Sequence, residues 1–122
     1  MPETSIAAKL QVKPGRTLCT LNAPGETDAL IGAQDVRTDV TTADVVVLFT
    51  PDRAAFDAEL PRVSALVKAG AILWLAYPKL TSKLAADLSR DIIHEASPAM
   101  GRDTVSQIAI DADWSAMRLK KI

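Results

Sequence analysis

Cysteine is nearly absent. The single thiol, Cys19, excludes an intrachain disulfide, so the fold must hold without covalent staples. Glycine is sparse, at five residues, so a glycine-rich phosphate loop has few places to form. One histidine, His94, excludes a histidine cluster and argues against a zinc site or a histidine-based triad. The longest apolar run, about Ala69 to Pro78, is far short of the ~20 residues that span a bilayer. Residues Met1 to Leu10 have no basic stretch followed by an apolar run, so no secretory signal is read there. The net charge of -1 argues against a broad nucleic-acid surface or an anionic-membrane footprint. These absences together lead us to expect a cytoplasmic, reduced protein.

What is present is an ordinary globular composition, with 48% hydrophobic and 24% charged residues over 122 positions. We expect one domain over residues 1–122, because two cores would leave each with roughly 60 residues, near the limit of independent folding. The apolar pattern switches between two periods. Ser5 to Gln11 reads as a short helix, stopped by Lys13-Pro14-Gly15. Thr17 to Leu21 reads as a strand, Asn22 to Gly25 as a turn, and Glu26 to Ile31 as a short helix closed by Gly32. Asp35 to Asp39 is a weak second strand. Ala43 to Phe49 and Ala71 to Ala76 are apolar on both faces, as strands of a sheet covered on both sides must be.

Between those two strands, Asp52 caps a helix running to about Lys68, with Phe56, Leu60, Val63 and Val67 on one stripe. Pro61 lies inside it and predicts a kink or break near Leu60. Thr81 to about Ala96 reads as a further amphipathic helix, with Leu84, Leu88 and Ile92 on its buried side. Lys83, Asp87, Arg90 and His94 lie on its polar side, and Pro98 and Gly101 terminate it. Thr104 to Ile110 and Ser115 to Lys121 read as an antiparallel hairpin. Alternating strands and helices imply a three-layer, Rossmann-like, mostly parallel α/β sheet with an antiparallel C-terminal hairpin.

A short helix, Lys13-Pro14-Gly15 and a strand, then Lys68-Ala69-Gly70 before the strand Ala71-Ile72-Leu73-Trp74-Leu75, resemble passages of class I S-adenosylmethionine-dependent methyltransferases. The terminal hairpin is similar to the last two strands of that fold. More closely, the whole chain resembles a family of small bacterial proteins, a domain of unknown function with a reduced methyltransferase-like architecture. The residues carrying this include Leu21-Asn22-Ala23-Pro24, Ala43-Asp44-Val45-Val46, Tyr77-Pro78-Lys79, Asp87-Leu88-Ser89-Arg90-Asp91 and Trp114-Ser115-Ala116-Met117-Arg118. Methyltransferases follow their first strand with an acidic residue and a glycine-rich turn. Here the position reads Asn22-Ala23-Pro24-Gly25-Glu26, with one glycine and a proline that lacks an N–H. Asp39 stands where the resemblance places the acid that binds the cofactor ribose.

Ligands of open α/β sheets sit at the carboxyl ends of strands. That rule selects Asn22, Thr50 and Tyr77, with Asp39 completing an expected pocket. Asn22 offers a hydrogen-bonding amide, although the same side chain serves equally to cap its own turn. Lys79, Ser82 and Lys83 predict a small anion site at the start of the helix after Tyr77; the plainer alternative is a solvated turn with two surface lysines. Trp114 and Arg118 are candidates for a partner-binding surface, with core packing as the plainer role of Trp114. No nucleophile, acid/base pair or metal-ligand cluster is recognisable, so no catalytic or metal residue is assigned. The expected function is a non-catalytic module that binds a small anionic ligand or a partner protein. Two alternatives are an atypical S-adenosylmethionine- or nucleotide-binding enzyme and a self-associating structural subunit.

Overall fold

A computed structural model describes residues 5–121. Five strands form one sheet: β1 (Leu18–Leu21), β2 (Val45–Phe49), β3 (Ile72–Pro78), β4 (Arg102–Ala109) and β5 (Trp114–Lys121). Their order is β1-β2-β3-β5-β4. The pairs β1–β2 and β2–β3 are parallel, while β3–β5 and β4–β5 are antiparallel. The expected Rossmann-like architecture is therefore present, with its parallel part confined to the first three strands.

Four helices cover the sheet: α1 (Ile6–Lys9), α2 (Gly25–Ile31), α3 (Arg53–Leu66) and α4 (Arg90–Ala96). The period-2 rule sorts the strand residues onto two faces. Val46, Leu48, Leu73, Leu75, Tyr77, Met117 and Leu119 pack against Phe56, Leu60 and Val63 of α3 and Ile93 of α4. Val45, Val47, Phe49, Trp74, Ala76 and Ala116 pack on the other face with Leu10 and Ile31. Every residue of β2 is buried, which is why its sequence carries no polar alternation. On the α1 face the Trp74 indole N–H donates to the Leu10 carbonyl at 2.9 Å. There Phe49 and Trp114 meet edge to face, with ring centroids 5.1 Å apart.

Asp52 caps α3 as expected, accepting the Ala55 N–H at 2.8 Å. The helix does not break at Pro61 but runs on to Leu66. Pro61 faces solvent, and the apolar stripe on the opposite side holds the helix together across the lost hydrogen bond.

Two expected elements are not formed. In place of the strand Asp35 to Asp39 there is a single 3-10 turn, Gln34–Val36, and one parallel bridge between Leu18 and Arg37. Only five residues separate Asp39 from the start of β2, too few for a crossover back to the amino end of a parallel strand. The helix expected from Thr81 forms only from Arg90, and Leu84 is exposed. Polar side chains in residues 81–89 engage elsewhere: the Ser82 hydroxyl binds Asp113 at 2.7 Å, and the Asp87 carboxylate accepts the Arg53 N–H of α3 at 2.8 Å. Ser89, extended at φ −141°, caps α4 through the Ile92 N–H. These contacts compete with the helix that the Leu84, Leu88 and Ile92 spacing suggests.

At the amino edge of the sheet, Asp44 accepts from the Thr17 N–H at 2.9 Å and from the Lys68 ammonium. The Lys68 hydrogen bond and the Thr17 N–H hold its pKa down at about 2. A depressed carboxylate pKa stabilises the fold fully above the unfolded value of about 4, and that contribution is lost as pH falls through about 2. Asp44→Asn is therefore expected to be destabilised at pH 5, with the deficit shrinking toward pH 2. Urea midpoints across that range check this, and a deficit independent of pH refutes it.

Candidate functional site

The carboxyl end of β1 is built differently from its expected ligand turn. Asn22 is exposed and left-handed at φ 60°, a conformation that asparagine tolerates better than most residues. Pro24 then precedes α2 at the N-cap position and makes no side-chain cap. Beside β1, Arg37 donates to the Thr20 hydroxyl at 2.8 Å, to Asp28 at 2.9 Å and to the Gly32 carbonyl at 2.8 Å. Thr20 in turn donates to Asp28 at 2.6 Å. Burial pushes the Asp28 pKa up, but the Thr20 and Arg37 hydrogen bonds and the guanidinium charge outweigh it, and the net shift is downward. This polar knot lies alongside the edge of the sheet where a second strand was expected.

Asp39 is exposed, and its carboxylate is occupied by the N–H and hydroxyl of Thr41 in a tight local turn. Those hydrogen bonds lower its pKa. Thr50 is fully buried, and both its N–H (2.9 Å) and its hydroxyl (3.0 Å) donate to the Ala76 carbonyl. It extends the β2–β3 ladder and offers a ligand nothing. Cys19 is buried, and burial followed by the Asp39 charge pushes its thiol pKa up, away from reactivity.

The carboxyl end of β3 opens into a cavity of about 390 Å³, lined by Tyr77, Lys79, Ser89, Arg90, Gln107 and Ser115 among others. Asn22, Asp39 and Thr50 do not line it, so the expected four-residue pocket is corrected to one built around Tyr77. The Tyr77 hydroxyl accepts from the Gln107 amide at 2.8 Å. Burial raises its pKa, opposed by the Arg90 charge, so the phenol is neutral at physiological pH. Lys79 and Arg90 give the cavity two cations and Asp91 one carboxylate. Arg90, Gln107 and Ser115 were not among the expected residues. Arg90 carried a signal, standing two residues beyond Leu88 on the predicted polar face, whereas Gln107 is recognisable only from the β4–β5 register.

The expected anion pocket of Lys79, Ser82 and Lys83 is not assembled. No helix begins at Thr81, the Ser82 hydroxyl is bound to the Asp113 carboxylate, and Lys83 is exposed. Asp113 also accepts the Lys79 N–H on its carbonyl at 2.8 Å, which staples this loop to the β4–β5 turn. Trp114 is 6% exposed and packs on Phe49, so it is a core residue and presents no aromatic face to a partner. Arg118 is half-buried in β5 opposite Trp74 and reaches the far, amino edge of the sheet.

No protein-family model matches the chain, and no curated protein matches it in sequence. Solved structures do match in fold. Magnesium protoporphyrin IX methyltransferase from Synechocystis PCC 6803 with bound SAH aligns at TM-score 0.62 and 12% identity, over 97% of this chain and 81% of that one. The glycopeptide N-methyltransferase MtfA complexed with sinefungin aligns at TM-score 0.60 and 10% identity, over 100% and 95%. A DhpI–SAM–HEP complex aligns at TM-score 0.59 and 12% identity, over 93% and 84%. The chain thus has a methyltransferase-like, Rossmann-like α/β fold.

Proposed function

We propose that the chain is a cytoplasmic, non-catalytic binding module of the small bacterial family whose motifs it shares, built on a methyltransferase-related fold. Its ligand is a small anion, or an acidic side chain of a partner protein, held at the Tyr77 cavity by Lys79 and Arg90. The observation that carries this reading is the first β–α connection. It has no run of glycines, Pro24 supplies no N–H, and Arg37 fills the flank of β1 with a hydrogen-bonded knot. A methionine cofactor laid along that connection would meet the Pro24 ring where the methyltransferase pattern has a glycine-rich turn, which disfavours close backbone approach.

The test is thermal unfolding with S-adenosylmethionine and S-adenosylhomocysteine. A ligand at 100 times its dissociation constant adds about 2.7 kcal/mol, a rise on the order of 10 °C for a domain of this size. We expect no shift with either compound. A rise of that size overturns this reading and favours the alternative, an atypical cofactor-binding enzyme.

A further inference from the structure

A group of five cations lies at the opposite end of the sheet. There, at the amino end of β3, a cavity of about 480 Å³ is lined by Lys68, Arg102, Arg118, Lys120 and Lys121. The rest of its lining is Ser64, apolar side chains and the backbone around Gly70, and no carboxylate lines it among the described residues. The topology creates this cluster. Arg102 opens β4 and pairs with Lys121 at the end of β5, while Ile72 opens β3 directly after the Lys68-Ala69-Gly70 turn.

Arg102 is the residue that calls for explanation. It is only 5% exposed, yet it faces no carboxylate. Its Nε donates to the Ser64 hydroxyl at 2.9 Å, its Nη1 reaches the Leu119 carbonyl only at 3.5 Å, and its Nη2 has no hydrogen bond to another described residue. A guanidinium cannot escape this cost by losing its proton under ordinary conditions, so burial without a counter-charge is unfavourable. Burial lowers its pKa, as expected for a cation denied an anionic partner. Nearby, Asp44 engages Lys68, and Asp103 stands across the ladder from Lys120. Arg102, Arg118 and Lys121 have no such partner among the described residues.

We propose that this amino-edge cavity is a binding site for a multiply charged phosphate, anchored by Arg102 and closed by Lys121, its partner across the β4–β5 ladder. The planar Arg102 guanidinium matches phosphate oxygens, and the volume suits a small organic phosphate or inorganic diphosphate. The site is separate from the Tyr77 cavity and stands whether or not that cavity binds an anion.

Isothermal titration of the full chain with pyrophosphate and with ADP, at matched ionic strength, tests this. We expect millimolar or tighter binding of at least one probe. Equal binding of both identifies the phosphates as the recognised feature, and preference for ADP adds the apolar wall of Val67 and Ile72. The variant Lys121→Gln should weaken binding at least about 10-fold, or 1.4 kcal/mol, with its thermal midpoint without ligand unchanged. Arg102→Lys, which keeps the charge but not the fork, should also weaken it. The proposal is overturned if neither probe binds, if Lys121→Gln binds as the parent does, or if Lys79→Gln/Arg90→Gln abolishes binding instead.

Discussion

Trp74→Ala is expected to lower stability by about 3–5 kcal/mol, the range for removing a buried large aromatic side chain. The whole fold is worth on the order of 6–18 kcal/mol at this length. Trp74 is 2% exposed in the middle of the sheet, in contact with the apolar cluster under α1 and α2. Its indole N–H also satisfies the Leu10 carbonyl just past the end of α1, a helix of only four residues. So short a helix has almost no intrinsic stability, and its position depends on tertiary anchors such as this one. Trp74→Phe separates the two roles. It retains most of the apolar volume and leaves the carbonyl unpaired, at about 1–3 kcal/mol. Urea unfolding of both variants measures the difference. A Trp74→Ala loss below ~1 kcal/mol would show that α1 does not pack on the sheet as described.

Ending the chain at Asp113 is expected to abolish cooperative folding. β5 is last in sequence but interior in space, between β3 and β4. Its loss strips hydrogen-bond partners from both neighbours and leaves β4 with no strand beside it. It also removes Trp114, Met117 and Leu119 from the two cores. Burying those three side chains is worth together ~5–9 kcal/mol, comparable to the total stability. The shortened chain should show no sigmoidal thermal transition and no near-ultraviolet circular dichroism. A retained transition would mean that β1 to β3 and their helices form a self-sufficient unit.

The parts of the fold legible in the sequence are those where burial alone dictates the pattern. Val45 to Phe49 and Ile72 to Tyr77 are apolar on consecutive positions because both faces of β2 and β3 are covered. Phe56, Leu60 and Val63 mark the buried stripe of α3 because a helix on a sheet has one dry side. Residues 34–39 and 81–89 misled because their outcome is set by single polar contacts with distant partners. No local pattern announces that Asp87 caps another helix or that Arg37 closes on Asp28. The site follows the same division. The strand-end rule selected Tyr77 and Lys79, which line the cavity at the end of β3, but it also selected Thr50, whose donors are spent on Ala76. Arg102 is invisible at the sequence level, since an arginine after a glycine turn reads as surface until the β4–β5 register buries it.

The rims of the sheet bear on how the protein behaves when concentrated. An open rim is a template on which another chain can lay a strand, and repetition of that step leads to fibrils. On the β1 side the Leu18–Arg37 bridge and the charged knot beside it occupy the rim. On the β4 side the register slips between Thr104 and Ser106, leaving Val105 49% exposed as an extra residue. A bulge of this kind twists the strand out of line and breaks the ladder that an incoming strand would need. The sheet is thus finished at both ends by irregularity rather than by closure, and colloidal solubility depends on a few residues outside both cavities.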